Sequence, residues 1–381
     1  MANKDLVIVG AHGSPYSRKM RAVLRYRRIP YRWVVRGSRE DRDIPDVPVA
    51  LIPVLVFDDE AMIDSTWQIT RLEKEYEGRS VIPPDPALAF IDELLEDFAD
   101  EWLTKAMFHY RWAYQADIEK AGRVLPLWGK IDMDTGSFEQ MSEMFTARQV
   151  GRLAVVGSNE TTGPLIEESY VRTLRTLQDH LHQRPFLFGR RPGRADFAVY
   201  GQLTQLALFD PTSVAVSLEE GSRTIPWCHI IEDLSGMEPS GADWDGANDL
   251  APGVGGLLAE LGRVYAPFLL ANAAAIDAGS EQVDCEIEGR PWTQKSFPYQ
   301  AKCLRWLRGS YGGLSDGGRA TVDSMLAGTG CASVDARDEL AVAADLSRRV
   351  TAGHDPAMVW TLPVEGESPA WNGRSPLGYD D

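Results

Sequence analysis

The sequence predicts a small α/β domain followed by an all-α domain, which a further, mostly helical segment extends. Three observations carry this expectation. The apolar run at 5–10 leads through a Ser-Pro turn into a helical pattern and a second strand pattern. Two more short strand patterns and a helix follow before the stiff stretch Ile82-Pro-Pro-Asp-Pro86. Beyond residue 87, apolar residues recur every three or four positions, the spacing that gives a helix one buried face.

Residues 5–10 alternate too little for a half-exposed strand and read as buried on both faces. A helix over 17–28 places Met20, Val23 and Leu24 inward and a dense set of arginines outward, and its basic residues (Arg18, Lys19, Arg21, Arg25, Arg27, Arg28) give it a local positive field. Ile29-Pro30 stops it, because a residue before proline is pushed out of the helical region. Tyr31 to Val35 is the second strand, which completes a strand–helix–strand unit. Ile52 to Phe57 is the third strand, Asp58-Asp59 a turn and Glu60 to Ile63 the fourth strand. The helix from Asp64 to Tyr76 begins on residues suited to capping, since a short side-chain oxygen accepts from the unpaired first-turn amides.

These patterns divide the chain into an α/β domain at 1–82, a linker at 83–87, a helical domain at 88–235 and an extension at 236–381. Helices are expected at 88–116, 138–150, 164–183 and 195–209, and in the extension at 254–278, 298–311, 316–327 and 335–350. Gly236–Gly253 is rich in Gly, Pro and Asp and marks the boundary; a hairpin is expected at 282–296. The end of the chain, rich in Pro, Gly and acidic residues, reads as a flexible tail.

The chain has 381 residues, roughly twice the usual domain size, which leaves room for these parts. Hydrophobic residues make up 44% and charged ones 25%, ordinary for a soluble globular protein. A formal net charge of −17 repels phosphate backbones, which argues against a nucleic-acid partner. Cys228, Cys285, Cys303 and Cys331 lie far apart without a Cys-x-x-Cys pair, so they read as reduced thiols and suggest no zinc site. No signal-peptide pattern opens the sequence. The most apolar stretch, Val254 to Ile276, contains Glu260, Arg263 and Pro267, which a membrane span tolerates poorly. The expectation is a cytoplasmic protein with neither membrane nor metal.

Three features of the α/β part converge on one chemistry. Ser14 starts the first helix, where free amides and the helix dipole favour an anion. Its turn has the shape of a thioredoxin-type Cys-Pro-x-x turn with serine at both cysteine positions, so a thiolate held there comes from a ligand. Ile52-Pro53 opens a strand, and a proline there can hold a cis bond that leaves the preceding backbone groups free for a ligand. Asp64-Ser65 offers a carboxylate and helix N-terminal amides to an amino-acid head group. The set suits an extended peptide with a central thiol.

Residues Ser14-Pro-Tyr-Ser-Arg-Lys, Ile52-Pro-Val-Leu, Ile63-Asp-Ser-Thr-Trp-Gln-Ile69 and Phe186 to Ala198 together resemble the glutathione transferase superfamily. The resemblance covers roughly residues 1–230 and points to a serine-type, bacterial-like member with a long C-terminal extension. It implies a thioredoxin-like domain followed by an all-α transferase-type domain, and a cytoplasmic homodimer. It also implies glutathione as co-substrate and a small hydrophobic electrophile as substrate. By the same resemblance, Ser14 donates to the glutathione sulfur, Ile52 before Pro53 pairs with the cysteinyl backbone, and Asp64 and Ser65 hold the γ-glutamyl group. Addition, displacement, reductive cleavage and isomerisation all start from such a thiolate.

Two departures stand out. Val47-Pro-Val-Ala-Leu51 lacks the lysine that relatives often carry there, and Gly193 replaces the usual Ser or Thr cap, with Asp196 left to complete the capping box. The aromatic helix Asp100 to Tyr114 brings Trp102, His109 and Trp112 forward as electrophile-pocket candidates, set against plain helix packing. His180-x-His182 lacks a third ligand and reads as a surface helix end. The basic amphipathic stretch Phe297 to Arg308 is expected to pack the extension on the core, with Cys303 buried in it. The rival readings are a non-catalytic binding or scaffold protein with the same fold, and a hydrolase pairing Ser14 with His12. Against the hydrolase, the sequence has no Gly-x-Ser-x-Gly elbow at this position.

Overall fold

The computed structural model describes residues 6–331 apart from 46, 48, 58 and 59. The Asp58-Asp59 turn, the helix expected at 335–350 and the tail lie outside the described residues. Leu6–Gly10 (β1), Pro15–Tyr26 (α1) and Tyr31–Val35 (β2) form the expected unit, with β1 parallel to β2. Val54–Phe57 (β3) and Glu60–Met62 (β4) add antiparallel strands in the order β2-β1-β3-β4, followed by Ser65–Glu75 (α2).

The two-residue period of β1 explains its complete burial. Leu6 and Ile8 join Met20, Val23 and Leu24 in the main core. Val7 and Val9 lie in a second apolar cluster with Val34, Val54 and Val56, covered by Ile44 and Val47. The basic face of α1 departs from expectation at Arg27. Lys19 and Arg27 are buried: Lys19 meets Glu96 and Asp100, and Arg27 pairs with Glu73 and donates to the Tyr76 and Gly78 carbonyls. Arg18 and Arg25 pair with Glu232, and Arg28 with Glu238, so distant acidic residues neutralise much of the remaining charge.

The helical part begins with Pro86–Phe98 (α3), capped by Asp85, whose Oδ1 accepts from the Ala87 and Leu88 amides at 2.8 and 3.1 Å. The single run expected at 88–116 is broken by a π turn at Ala99–Leu103 before Thr104–Ala113 (α4). Gln115–Val124 (α5), the tight turn Leu125–Trp128 and Thr135–Val150 (α6) follow. Then come Gly163–Leu181 (α7), Arg194–Leu206 (α8), Pro211–Glu220 (α9) and Thr224–Ile231 (α10).

The central helix α8 is buried along its whole length. The missing Gly193 side chain is compensated twice. Asp196 accepts from the Gly193 and Leu187 amides at 2.9 Å each, and Asp92 of α3 accepts from the Ala195 amide at 3.0 Å. Gly201 lets α1 dock, since a Cβ there would lie 2.6 Å from the Pro15 carbonyl oxygen. His180 is buried, not at the surface as expected, because its Nε2 donates to the Phe186 carbonyl at 2.9 Å.

The extension contains Pro252–Glu260 (α11), a π turn at Leu261–Tyr265, Ala266–Asp277 (α12), and the hairpin Gln282–Ile287 (β5) with Arg290–Lys295 (β6). Pro298–Gly312 (α13) and Asp316–Leu326 (α14) follow. By length and composition alone, Pro252–Asp277 could cross a membrane. Its Val254, Leu257, Leu258, Leu261, Val264, Tyr265, Phe268 and Leu269 are nevertheless buried in the protein's own core. The extension shares that core with the helical domain: Trp102 packs on Tyr265, Phe268 and Trp292 with ring centroids 6.4, 6.1 and 5.3 Å away. No disulfide joins the four cysteines, and Cys303 is buried in α13 as expected.

The joint between α3 and the extension holds two carboxyl groups. Asp97 accepts from the Tyr265 hydroxyl at 2.6 Å, and Glu101 accepts from the Gln300 amide at 2.9 Å. Burial first, and then neighbouring carboxylates, push Asp97 up to about 7 and Glu101 up to about 8. Both values exceed those of the unfolded chain, so the stability these groups contribute is full below about pH 4 and is lost as pH rises through their folded values. The unfolding free energy should therefore fall from about pH 4 to about pH 8, by up to about 1.4 kcal/mol per pH unit for each proton released on unfolding, and level off above that. Glu101→Gln should flatten that decline; a wild-type unfolding free energy that holds or rises over this range would contradict it.

Candidate functional site

The sheet brings the three segments singled out by sequence to one end. Val9 of β1 lies opposite Val54 of β3, so the turn after β1 and the proline before β3 are neighbours. Leu55 lies opposite Met62, so β4 delivers Asp64 to the same end.

Ser14 is the N-cap of α1, with φ −96° and ψ 121°. Its Oγ accepts from the Ser17 amide at 3.2 Å, and its own hydrogen has no partner among the described residues. The hydroxyl is thus oriented to donate outward, next to the positive end of a helix. Ser17 differs. Its fully buried Oγ accepts from the Ala11 amide at 3.2 Å, which makes it a brace for the turn.

The Ile52–Pro53 bond is cis, and the Ile52 backbone N–H and C=O make no hydrogen bond among the described residues. Gln68 of α2 braces the segment, donating from Nε2 to the Pro53 and Met62 carbonyls at 2.8 and 2.9 Å. Asp64 sits at φ 77° and ψ 108°, a conformation that non-glycine residues hold rarely. It caps α2, with Oδ1 accepting from the Thr66 amide at 3.1 Å. Burial raises its pKa; the Tyr299 hydrogen bond and the charge of Lys19 oppose that shift.

Ser65 is buried, and its Oγ accepts from Lys19 Nζ at 3.1 Å, which leaves the Ser65 hydrogen to donate. Lys19 in turn lies 2.6 Å from both Glu96 and Asp100. Burial pulls its pKa down, but the two carboxylates more than reverse this, and Lys19 stays charged.

The helical domain reaches the turn through residues that local patterns did not single out. Arg111 donates to the Gly13 carbonyl at 3.0 Å while anchored on Asp210 at 3.0 Å and Gln205 at 2.8 Å. Leu125 and Trp128 cover Gly13 so closely that a Cβ there would lie 2.7 and 2.5 Å from them, so a larger residue would push these side chains aside. Trp128 also packs on His12 and Phe209, with ring centroids 5.7 and 5.6 Å away.

The three pocket candidates from the aromatic helix lie in the core instead of over the turn. Trp102 donates to Ser169 Oγ at 2.9 Å, and Trp112 packs on Phe108 and Phe145. His109 bridges Ser158 Oγ and Glu167 Oε1 at 2.8 and 2.9 Å. Among the described residues His12 makes no hydrogen bond to Ser14. It faces Arg21 at 3.4 Å, and its pKa is lowered by burial first and then by Arg21 and Arg18. Among the described residues, no group of His, Cys, Asp and Glu could hold a metal ion.

This arrangement sets the Ser14 hydroxyl, the unpaired Ile52 backbone and the Asp64-Ser65 helix start side by side at one end of the sheet. The family described as glutathione S-transferase, N-terminal domain, matches residues 8–80. Residues 8–80 are thus similar to a glutathione S-transferase N-terminal domain, and a helical region follows them. Comparison with curated proteins found no match.

Similar solved structures include a Tau class glutathione S-transferase from mango, Mangifera indica, 20% identical with a TM-score of 0.36, covering 62% of this chain and 94% of that one. A glutathione S-transferase from Methylobacillus flagellatus with glutathione bound is 21% identical, TM-score 0.35, covering 62% and 96%. The beta-etherase LigF from Sphingobium is 15% identical, TM-score 0.38, covering 60% and 98%.

Proposed function

We propose that the protein is a glutathione transferase in which Ser14 stabilises the glutathione thiolate for attack on a small hydrophobic electrophile. The observation that carries this reading is the Ser14 hydroxyl: it accepts from the Ser17 amide and so turns its hydrogen outward at the start of α1. In this reading the Ile52 backbone pairs with the cysteinyl part of glutathione. Asp64 takes the γ-glutamyl ammonium, and the Ser65 hydroxyl donates to its carboxylate. The thiol proton leaves to solvent, the sulfur forms a bond to the electrophilic carbon, and the leaving group departs with its electron pair in a displacement. In an addition, the adjacent atom takes a proton instead. Four cysteines without a disulfide fit a reducing, cytoplasmic setting.

Calorimetric titration with glutathione, followed by turnover of a chlorodinitrobenzene, tests the reading. Binding and turnover support it, and binding without turnover favours the non-catalytic alternative. No binding removes the transferase reading and leaves the non-catalytic scaffold. The residues over the turn also give a prediction about the second substrate. Trp128→Ala should raise KM for the electrophile by about threefold to tenfold, as expected for removing an aromatic wall, while KM for glutathione stays near wild type. A loss confined to glutathione would place Trp128 elsewhere.

A further inference from the structure

We propose that the C-terminal extension completes the head-group site, with Tyr299 of α13 as the positioning residue that orients the Asp64 carboxylate toward the γ-glutamyl ammonium. This rests on the glutathione reading above. The Tyr299 hydroxyl donates to Asp64 Oδ2 at 2.7 Å, while Oδ1 accepts from the Thr66 amide at 3.1 Å. Each carboxylate oxygen has two acceptor positions, so one on each remains. The two donors fix the plane of the carboxylate, and the remaining acceptors then point in set directions. A cationic donor meeting a fixed carboxylate loses less to ordering than one meeting a mobile carboxylate.

Tyr299 is itself held from several sides. The backbone of Phe297 is pinned by buried Asn272 of α12, which accepts from its amide at 2.7 Å and donates to its carbonyl at 2.9 Å. Gln300 donates to Glu101 at 2.9 Å. Trp306 stands edge-on to Tyr299, with centroids 5.9 Å apart, and edge-on to Trp67 of α2 at 5.2 Å. Apart from that last contact, these anchors lie in the extension and the helical domain, whereas the group that Tyr299 holds belongs to the α/β domain. A plain tie between domains needs no carboxylate. This one ends on the residue with φ 77° that begins α2.

The test uses the full-length protein and two ligands: glutathione, and its analogue in which hydrogen replaces the γ-glutamyl amine. Tyr299→Phe should weaken glutathione about tenfold, the scale for one hydrogen bond to a charged group, and leave the deaminated analogue unchanged. In an Asp64→Asn background, Tyr299→Phe should add no further loss. Thermal melting of each variant reports folding separately. Equal loss of both ligands, or no loss of either, would overturn the proposal while leaving the glutathione reading in place. Failure of the wild type to bind glutathione would end that reading, and this proposal with it.

Discussion

Replacing Ser14 by alanine is expected to lower kcat for thiol transfer by about tenfold to a hundredfold. That range corresponds to losing one hydrogen bond to an ionised group, about 1.5–3 kcal/mol. KM for glutathione should move much less, because the contacts assigned to Ile52, Asp64 and Ser65 do not involve the sulfur. The pH profile separates this mechanism from a folding defect. A hydroxyl donor and a helix N-terminus both favour the thiolate over the thiol, so they hold the bound thiol pKa below that of free glutathione. Without Ser14 only the helix N-terminus remains, and the acidic limb of kcat/KM should shift upward by about one unit. Ser17→Ala is the control, since its oxygen serves the Ala11 amide inside the turn. It should cost about 1 kcal/mol of stability and leave the pH profile in place. A Ser14→Ala enzyme with the wild-type rate and profile would remove the proposed mechanism.

The parts of this site that sequence displayed are those built from local signals. A strand followed by Ser-Pro, an Ile-Pro before a strand and an Asp-Ser before a helix each leave a signature within a few residues. Strand pairing then gathers them at one sheet end. The hairpin and α13 were legible for the same reason, as was the Asp196 cap. Signals failed where a long-range partner decides the outcome. Lys19 belongs to a run of basic residues, and nothing near it announces Glu96 and Asp100, about eighty residues further on.

Trp102, His109 and Trp112 form an aromatic helix whose orientation depends on what covers it. The hairpin residue Trp292 and the α12 residue Phe268 claim Trp102 for the core. The short helices α5, α9 and α10 carry too few turns to print a clear period, and the π turn at Ala99–Leu103 shifts the register of a run that otherwise looks continuous. Leu125 and Trp128 sit in a tight turn with no period at all, although Gly13 beneath them was visible as part of the motif.

Lys19→Met is expected to be the most destabilising single change near the site. The ammonium is fully buried, touches Glu96 and Asp100 at 2.6 Å each and donates to Ser65. Methionine matches its length but leaves two buried carboxylates without their shared cation, for which the expected loss is about 3–5 kcal/mol. Glu96 retains Arg194 at 3.5 Å, so Asp100 carries most of the damage. Burial, with Glu96 nearby, already raises Asp100 to about 6 against the pull of Lys19. Removing the lysine raises it further, so the variant takes up a proton that the wild type does not hold near neutrality.

The sign follows from that proton. A carboxyl whose folded pKa lies above its unfolded value contributes stability at low pH and loses it as pH rises through the folded value. The gap between variant and wild type should therefore be small near pH 5 and widen as pH rises through about 6 to 8. Asp100→Asn in the same chain should recover a large share of the loss, because an amide needs no counter-charge. Denaturant titrations of the three proteins at two pH values measure all of this. A gap independent of pH, or one that closes as pH rises, would show that Lys19 stabilises the fold by packing and not as the cation of this pair. Ser65 supplies the link to function. In the double variant that restores stability, its hydroxyl still lacks the lysine that held it, so KM for glutathione should stay raised after the fold has recovered.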